Sequence, residues 1–206
     1  ENTIDPTALF HIGYGLYVLT SRDCDGKDNG CIVNTVTQLT ENPTRIALSV
    51  NKQNFTNEVI QRTGVFNISV LTEAATMDLF RHFGFQSGRD VDKFAGRTDP
   101  TSENGLRYIG GPANALISGK VEQAIDCGTH MLYIALVTEA RKLSDAPSMT
   151  YAYYFANVKP KPQPKPAEAK PRRGFVCRIC GYFYEGDELP PDFICPLCKH
   201  GAADFE

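Results

Sequence analysis

Two cysteine pairs, Cys177-Arg-Ile-Cys180 and Cys195-Pro-Leu-Cys198, stand within 22 residues of one another in a chain of 206. Four thiolates at this double C-x2-C spacing can wrap one tetrahedral metal ion. The spacing does not choose the metal, because zinc, which is redox-silent, and iron, which carries single electrons, both accept four sulfurs. Residues 174–206 hold too little apolar mass to bury a core unaided. Metal–thiolate bonds must therefore hold this segment together, and binding the metal and folding become one event.

The residues around the pairs narrow the choice. Gly181 permits a tight turn with positive φ, which points backbone amides at the sulfurs. Tyr182, Phe183 and Tyr184 supply an aromatic wall, and Pro190-Pro191-Asp192-Phe193 leads into the second pair. In Cys-Gly-Tyr-Phe-Tyr, Leu-Pro-Pro-Asp-Phe and Cys-Pro-Leu-Cys the segment resembles rubredoxin, a one-iron electron carrier, over residues 174–206. That resemblance implies one iron held by Cys177, Cys180, Cys195 and Cys198. Three departures stand out. Only 14 residues separate the pairs, as in shortened rubredoxin domains appended to larger redox proteins. Phe193 occupies a place where Trp is frequent, and Lys199 replaces the usual glycine, which predicts some backbone strain there. A zinc ribbon is the alternative with the same geometry.

Ahead of this domain, residues 158–173 read Val-Lys-Pro-Lys-Pro-Gln-Pro-Lys-Pro-Ala-Glu-Ala-Lys-Pro-Arg-Arg, with almost nothing apolar to bury. Such a stretch favours extended polyproline conformation and reads as a linker, with a reach of roughly 40 to 50 Å at about 3.1 Å per residue. Charge divides along the same lines. Residues 1–158 carry a net −4, 159–173 a net +5 and 174–206 a net −4. An acidic body argues against a nucleic-acid partner, and the acidic metal domain favours a basic docking surface. No run of 18 apolar residues is present, so no membrane span is expected. No secretory signal is visible, and four grouped cysteines beside the scattered Cys24, Cys31 and Cys127 suit a reducing compartment, with the cytoplasm as the expectation.

The elements that remain lie in residues 1–157 and are mostly strands. Ile46, Leu48 and Val50 alternate with polar or small neighbours, as do Phe66, Ile68 and Val70, which is the period of half-buried strands. Further strands are expected over 14–20, 31–38, 115–125, 130–140 and 150–156. Asp5 caps a short helix over 6–11, Asn54 one over 55–62 that ends near Gly64, and Asp90 one over 91–95 that ends at Gly96. Many short strands with few helices predict a mainly β fold, a barrel with peripheral helices. No G-x-x-x-x-G-K-[ST] loop and no G-x-G-x-x-G motif opening a helix is present. The helix expected after Asn54, with Lys52 and Thr56 beside it, nevertheless offers free amides, a hydroxyl and an ammonium to a phosphate.

Three segments read together go further. Asn29-Gly30-Cys31-Ile32-Val33-Asn34-Thr35-Val36-Thr37-Gln38, Ser49-Val50-Asn51-Lys52-Gln53-Asn54 and Gly84-Phe85-Gln86-Ser87-Gly88-Arg89-Asp90-Val91-Asp92-Lys93-Phe94 resemble the flavin reductase-like, FMN-binding split-barrel family, over most of residues 5–155. The resemblance implies a split β-barrel with short helices that holds FMN near the interface of a homodimer. Asn34, Thr35, Val36, Thr37 and Gln38 would run along the isoalloxazine. Ser49, Asn51, Lys52 and Thr56 would surround the phosphate and ribityl chain, with Ser87, Gly88, Arg89 and Lys93 closing over the flavin. His130 could approach the ring from a strand end, and Tyr151, Tyr153, Tyr154 and Phe155 could stack on it, although both patterns suit ordinary packing. His11, His82 and His200 receive no role.

A flavin domain joined to a one-iron domain resembles the high-molecular-weight rubredoxins of anaerobic microbes. This implies an oxidoreductase that takes electrons from NAD(P)H through FMN to the iron and delivers them to an acceptor such as a flavodiiron protein. The flavin carries the chemistry, so no catalytic side chain is named. Two alternatives stay open: an FMN/iron carrier reduced by another protein without NAD(P)H, and a non-redox zinc-ribbon scaffold that binds flavin.

Overall fold

The computed structural model describes residues 4–160 and 174–206. The chain divides into two compact units, Glu1–Lys159 and Pro160–Glu206. The expected linker over 158–173 lies mostly outside the described residues.

The larger unit is a seven-stranded antiparallel sheet of β1 (Tyr17–Arg22), β2 (Asp28–Val33), β3 (Val36–Glu41), β4 (Thr44–Asn51), β5 (Val65–Leu71), β6 (Ala113–Asp126) and β7 (His130–Lys142), with spatial order β2-β1-β5-β6-β7-β4-β3. Its two edge strands, β2 and β3, are separated in sequence by Asn34 and Thr35 alone. A flat sheet would hold its first and seventh strands about 29 Å apart at the usual strand spacing. Three Cα steps from Val33 to Val36 span at most about 11 Å. The sheet must therefore curl until its edges approach, and since β2 and β3 do not pair, the barrel stays split at that seam.

Curling gives the sheet an inside and an outside, and strand alternation fills both. Leu19, Cys31, Val33, Leu48, Val50, Phe66, Ile68 and Tyr133 form the inner core, with Ile60 packed among them. Val18, Leu71, Phe80, Phe83, Phe94, Ile109 and Tyr154 form a second cluster outside. Consecutive residues of β1 are thus buried on opposite faces, which is why Val18 and Leu19 are both fully enclosed. Phe66 faces Gly119 across the β5–β6 pairing, and a Cβ built at Gly119 would lie 2.5 Å from the Phe66 ring.

The helix α1 (Phe55–Thr63) buries Thr56, Val59 and Ile60 at helical spacing and ends at Gly64, whose φ of 69° is left-handed. Asn54 sits at its start as expected, but its side chain makes no capping bond. The segment 6–11 forms a 3-10 helix capped by Asp5. Several boundaries differ from the periodicity. The run 31–38 is broken at Asn34 and Thr35 because its two halves belong to opposite edges of the sheet. No helix forms over 91–95; Asp92, rather than Asp90, accepts the Phe94 amide in a turn that does end at Gly96. Helix α2 (Met77–Gly84) adds to the expected elements: Thr76 precedes Met77, Phe80 and Phe83 at helical spacing, with Asp78 in its first turn and Arg81 in its last. The run 150–156 is helical: α3 (Tyr151–Tyr153) passes into a π-helical turn over Tyr154–Val158. Its aromatics fit both periods, and the Thr150 hydroxyl accepting the Tyr153 amide settles the choice.

Among its described residues the smaller unit has a two-stranded ladder, β8 (Gly174–Val176) with β9 (Phe183–Glu185), and a short 3-10 turn over Ala202–Asp204. Phe193 is its aromatic centre, with ring centroids 4.7 Å from Tyr184 and 5.3 Å from Phe205.

Replacing Gly119 by alanine forces the enclosed Phe66 ring to move. The variant is expected to lose about 1–3 kcal/mol of stability, measured as a lowered denaturant midpoint for the barrel's circular-dichroism transition. An unchanged midpoint would show that Phe66 has room the structure does not give it.

Candidate metal centre and cofactor cradle

The four cysteines come together as the spacing predicts, with all four Sγ atoms within 4.8 Å of one another. Cys177 and Cys198 are 3.5 Å apart, as are Cys180 and Cys195. A tetrahedral ion with metal–sulfur bonds near 2.3 Å has sulfur–sulfur edges of about 3.8 Å, so the cluster fits a single metal. Two similar turns build it. The Gly181 amide donates to the Cys177 carbonyl and the Lys199 amide to the Cys195 carbonyl, at 2.8 and 2.9 Å. Gly181 has φ 78°, and Lys199 adopts φ 62°, so the lysine carries the strain its position predicts.

The electrostatics ask for a cation. A hydrogen bond from the Cys198 sulfur holds the Cys180 thiol down to about 5, and the same pairing drives Cys198 upward. Burial raises Cys177. Crowded sulfurs divide their protons unevenly, and a divalent or trivalent ion removes the conflict by letting all four ionise. Cys177 and Cys195 are fully buried, while Cys180 and Cys198 are partly exposed. One side of the centre therefore reaches the surface.

In the larger unit the three sequence segments meet around the start of α1. The Ser49 amide donates to the Thr35 carbonyl at 3.1 Å, which ties the Asn34–Gln38 stretch to the end of β4. Val36, Thr37 and Gln38 pair with Leu48, Ala47 and Ile46, and Thr37 and Gln38 are exposed. Asn51 lies opposite His130 in the β4–β7 ladder, and the Asn51 side chain accepts the Gln53 amide. Because Asn54 does not cap the helix, no hydrogen bond among the described residues satisfies the amides of Phe55 and Thr56. Such amides at a helix start suit an anion. Thr56 is buried and its hydroxyl accepts from Asn29 Nδ2 at 2.8 Å. Lys52, partly exposed, pairs with Asp126 at 2.7 Å, and that contact depresses the Asp126 pKa.

From the other side, the Ser87-Gly88-Arg89 turn closes on the same place. Gly88 rests against Asn29, and a Cβ there would overlap Asn29 Oδ1. Arg89 pairs with Glu58 and lies 5.1 Å from the Phe55 ring centroid. Lys93 behaves differently from its neighbours: it is buried, and its ammonium donates to the carbonyls of Gly30 and Phe83. Asn29 was not singled out in the sequence. Its signal is faint, a polar residue in a strand whose neighbours are buried. Of the aromatic candidates, Tyr154 is committed to the outer cluster, 4.6 Å from Phe80. The donors on α1, β4 and the 87–89 turn, together with the close approach at Gly88, fit a phosphate-bearing cofactor.

A family model described as a flavin reductase-like domain matches residues 9–161, and one described as a rubrerythrin, rubredoxin-like domain matches residues 175–206. The high molecular weight rubredoxin of Moorella thermoacetica is 39% identical over 98% of this chain and 99% of its own length. The ferric-chelate reductase (NAD(P)H) of Archaeoglobus fulgidus is 38% identical over 73% of this chain and 89% of its own. Among solved structures, an FMN-binding protein from Thermus thermophilus superposes with a TM-score of 0.64 at 22% identity, covering 73% of this chain and 88% of that one, which shows the shared fold.

Two substitutions test the metal centre. Cys195→Ser is expected to abolish stoichiometric metal, read by elemental analysis, and to unfold the smaller unit while the barrel's thermal transition stays in place. Lys199→Gly relieves a left-handed lysine and is expected to stabilise the smaller unit by about 1 kcal/mol, read as slower metal release to a chelator; faster release would show that the lysine is not strained.

Proposed function

The chain belongs to the flavin reductase-like family, joined to a rubredoxin-like domain, and is on that footing a flavin/iron oxidoreductase; we propose that NAD(P)H supplies its electrons, that FMN and one iron relay them, and that a flavodiiron protein or similar redox partner receives them. The observation that supports this reading is that one chain joins a flavin reductase fold, with unsatisfied amides at the start of α1, to a four-sulfur cluster with an exposed side. FMN accepts electrons in pairs as hydride and can release them singly, and a four-thiolate iron takes one at a time.

The chain's own residues bind and orient. Thr56 and the first amides of α1, with Ser49, Asn51 and Lys52, surround the phosphate and ribityl chain. The main chain and side chains of Asn34, Thr35, Val36, Thr37 and Gln38 run along the ring, where the split seam leaves Thr37 and Gln38 exposed. Ser87, Gly88 and Arg89 close the cradle from above. Lys52 remains partly exposed in its pair with Asp126, a contact weak enough for an incoming phosphate to compete with. No side chain needs to move a proton, and the fold's part is to orient the flavin and leave one of its faces open to nicotinamide.

A homodimer completes the reading. Edge strand β3 is almost wholly exposed, with Leu39 47% accessible, and Ile125 on the β6–β7 hairpin is 43% accessible. Both lie on elements that carry or adjoin cradle residues. Among the described residues no helix is long and apolar enough to cross a membrane. The cysteines outside the cluster are all free, which supports a reducing compartment such as the cytoplasm.

Anaerobic titration of the metal-analysed, FMN-loaded protein with NADH or NADPH is expected to bleach the flavin and iron–thiolate absorption together. Full bleaching by dithionite with none by either nucleotide overturns the NAD(P)H assignment and leaves a carrier fed by another protein. Stoichiometric zinc without iron in protein from its native source overturns the relay itself.

A further inference from the structure

A lysine ammonium enclosed by protein without a carboxylate is costly, and desolvation lowers its pKa. Lys93 is 3% exposed, and among the described residues no carboxylate pairs with it. Its Nζ instead donates to the Phe83 carbonyl at 2.9 Å and the Gly30 carbonyl at 2.8 Å. Phe83 lies in the last turn of α2, where carbonyls lack helical partners and a cation is favoured. It also begins the loop that Lys93 ends. The ammonium therefore closes the base of the 84–92 loop and pins that base to β2, one residue from Asn29.

The tip of the same loop is Ser87-Gly88-Arg89. Gly88 sits on Asn29, and Asn29 holds the Thr56 hydroxyl at the start of α1. Asn29 cannot yield, since it is 4% exposed and bonded to a buried threonine. The base of the loop is secured a second time by His82 Nε2, which lies 2.6 Å from the Lys93 carbonyl. Beyond Lys93, Phe94 packs on Phe83 at 5.5 Å, and Arg107 donates to the Phe94 carbonyl. The loop is fixed at base and tip around a single line of contacts that runs Lys93, Gly30, Asn29, Thr56.

We infer that Lys93 is a positioning residue that contacts no part of the cofactor: it staples the 84–92 loop shut so that the Ser87–Arg89 turn, seated on Asn29, is held over the start of α1 ready to receive a phosphate. The inference rests on the FMN reading above. It departs from the role the sequence resemblance gives Lys93, that of closing over the flavin itself. Its consequence is selective, because a loose turn weakens recognition of the phosphate and leaves the contacts along the ring unchanged.

The test compares FMN with riboflavin, which has the same ring and no phosphate, by fluorescence titration of the full, metal-loaded chain. Lys93→Met keeps most of the side-chain volume and removes the ammonium. It is expected to weaken FMN about tenfold or more, the scale of one charge-assisted hydrogen bond, and to change riboflavin less than about twofold. Arg89→Gln is expected to weaken FMN in the wild-type background and to have much less effect in the Lys93→Met background, because a turn that is no longer held has already lost that contact. Equal losses for both ligands, additive losses in the double variant, or wild-type FMN affinity in Lys93→Met each overturn the inference while the FMN reading survives. If Lys93→Met does not fold, Gly88→Ala lifts the turn from Asn29 with the staple intact. It should show the same FMN-selective loss, and an unchanged FMN-to-riboflavin ratio overturns the inference. Failure of the wild-type chain to bind FMN at all sinks the reading underneath it, and the inference with it.

Discussion

Two residues join strands that belong to opposite edges of a seven-stranded sheet. Asn34 and Thr35 are too short a bridge for any flat arrangement, so this connection alone requires the sheet to roll up. Nearly everything else in the larger unit follows from that closure. It separates an inner core from an outer one, and it carries the end of β2 to the β3–β4 hairpin, in which the Ser49 amide meets the Thr35 carbonyl. It also sets Asn29 of β2 against the first turn of α1, which follows β4 directly. The cradle sits where the barrel fails to close because two strand edges and a helix start are left there with polar groups to satisfy.

That location explains the unusual chemistry of the residues around it. Strands this enclosed are expected to carry apolar side chains, yet β2 holds Asn29 and the neighbouring loop buries Lys93. Each is retained with partners: a threonine hydroxyl for the amide, two carbonyls for the ammonium. Buried polar groups of this kind lower stability relative to a well-packed apolar core unless every bond is made. Their meeting beside the start of α1, and the glycine that lets a turn come down on Asn29, mark a place where the fold gives up packing for precise placement.

The smaller unit solves a different problem. With three short pieces of regular structure and an aromatic cluster around Phe193, it has little core, and the four sulfurs supply its centre. The metal site is consequently the centre of its fold, and Cys180 and Cys198 leave one side of that centre partly exposed. The barrel holds its shape by packing, whereas the small unit is centred on four sulfurs.

Much of this was legible in the residues. The cysteine spacing determined the metal cluster, because four ligands from two tight turns converge wherever they occur. Gly64 marked the end of α1, since only glycine takes a left-handed cap at little cost, and period-2 alternation located the strands β4 and β5. Where local patterns serve two periods, tertiary contacts decided. Tyr151, Tyr153 and Phe155 alternate like a strand while Tyr151, Tyr154 and Phe155 fall at helical spacing, and the Thr150 cap with the Tyr154–Phe80 contact made the run helical. The resemblance implies that Lys93 closes over the flavin, and nothing local marks it as buried; its burial depends on the Phe83 and Gly30 carbonyls, which are 10 and 63 residues away in sequence. Asn29 gave only a faint local sign, for its meaning lies in Thr56 and Gly88, brought to it by the tertiary fold. Sequence alone determines what depends on neighbours in the chain, and only the tertiary structure decides which distant carbonyl or hydroxyl a polar side chain will meet.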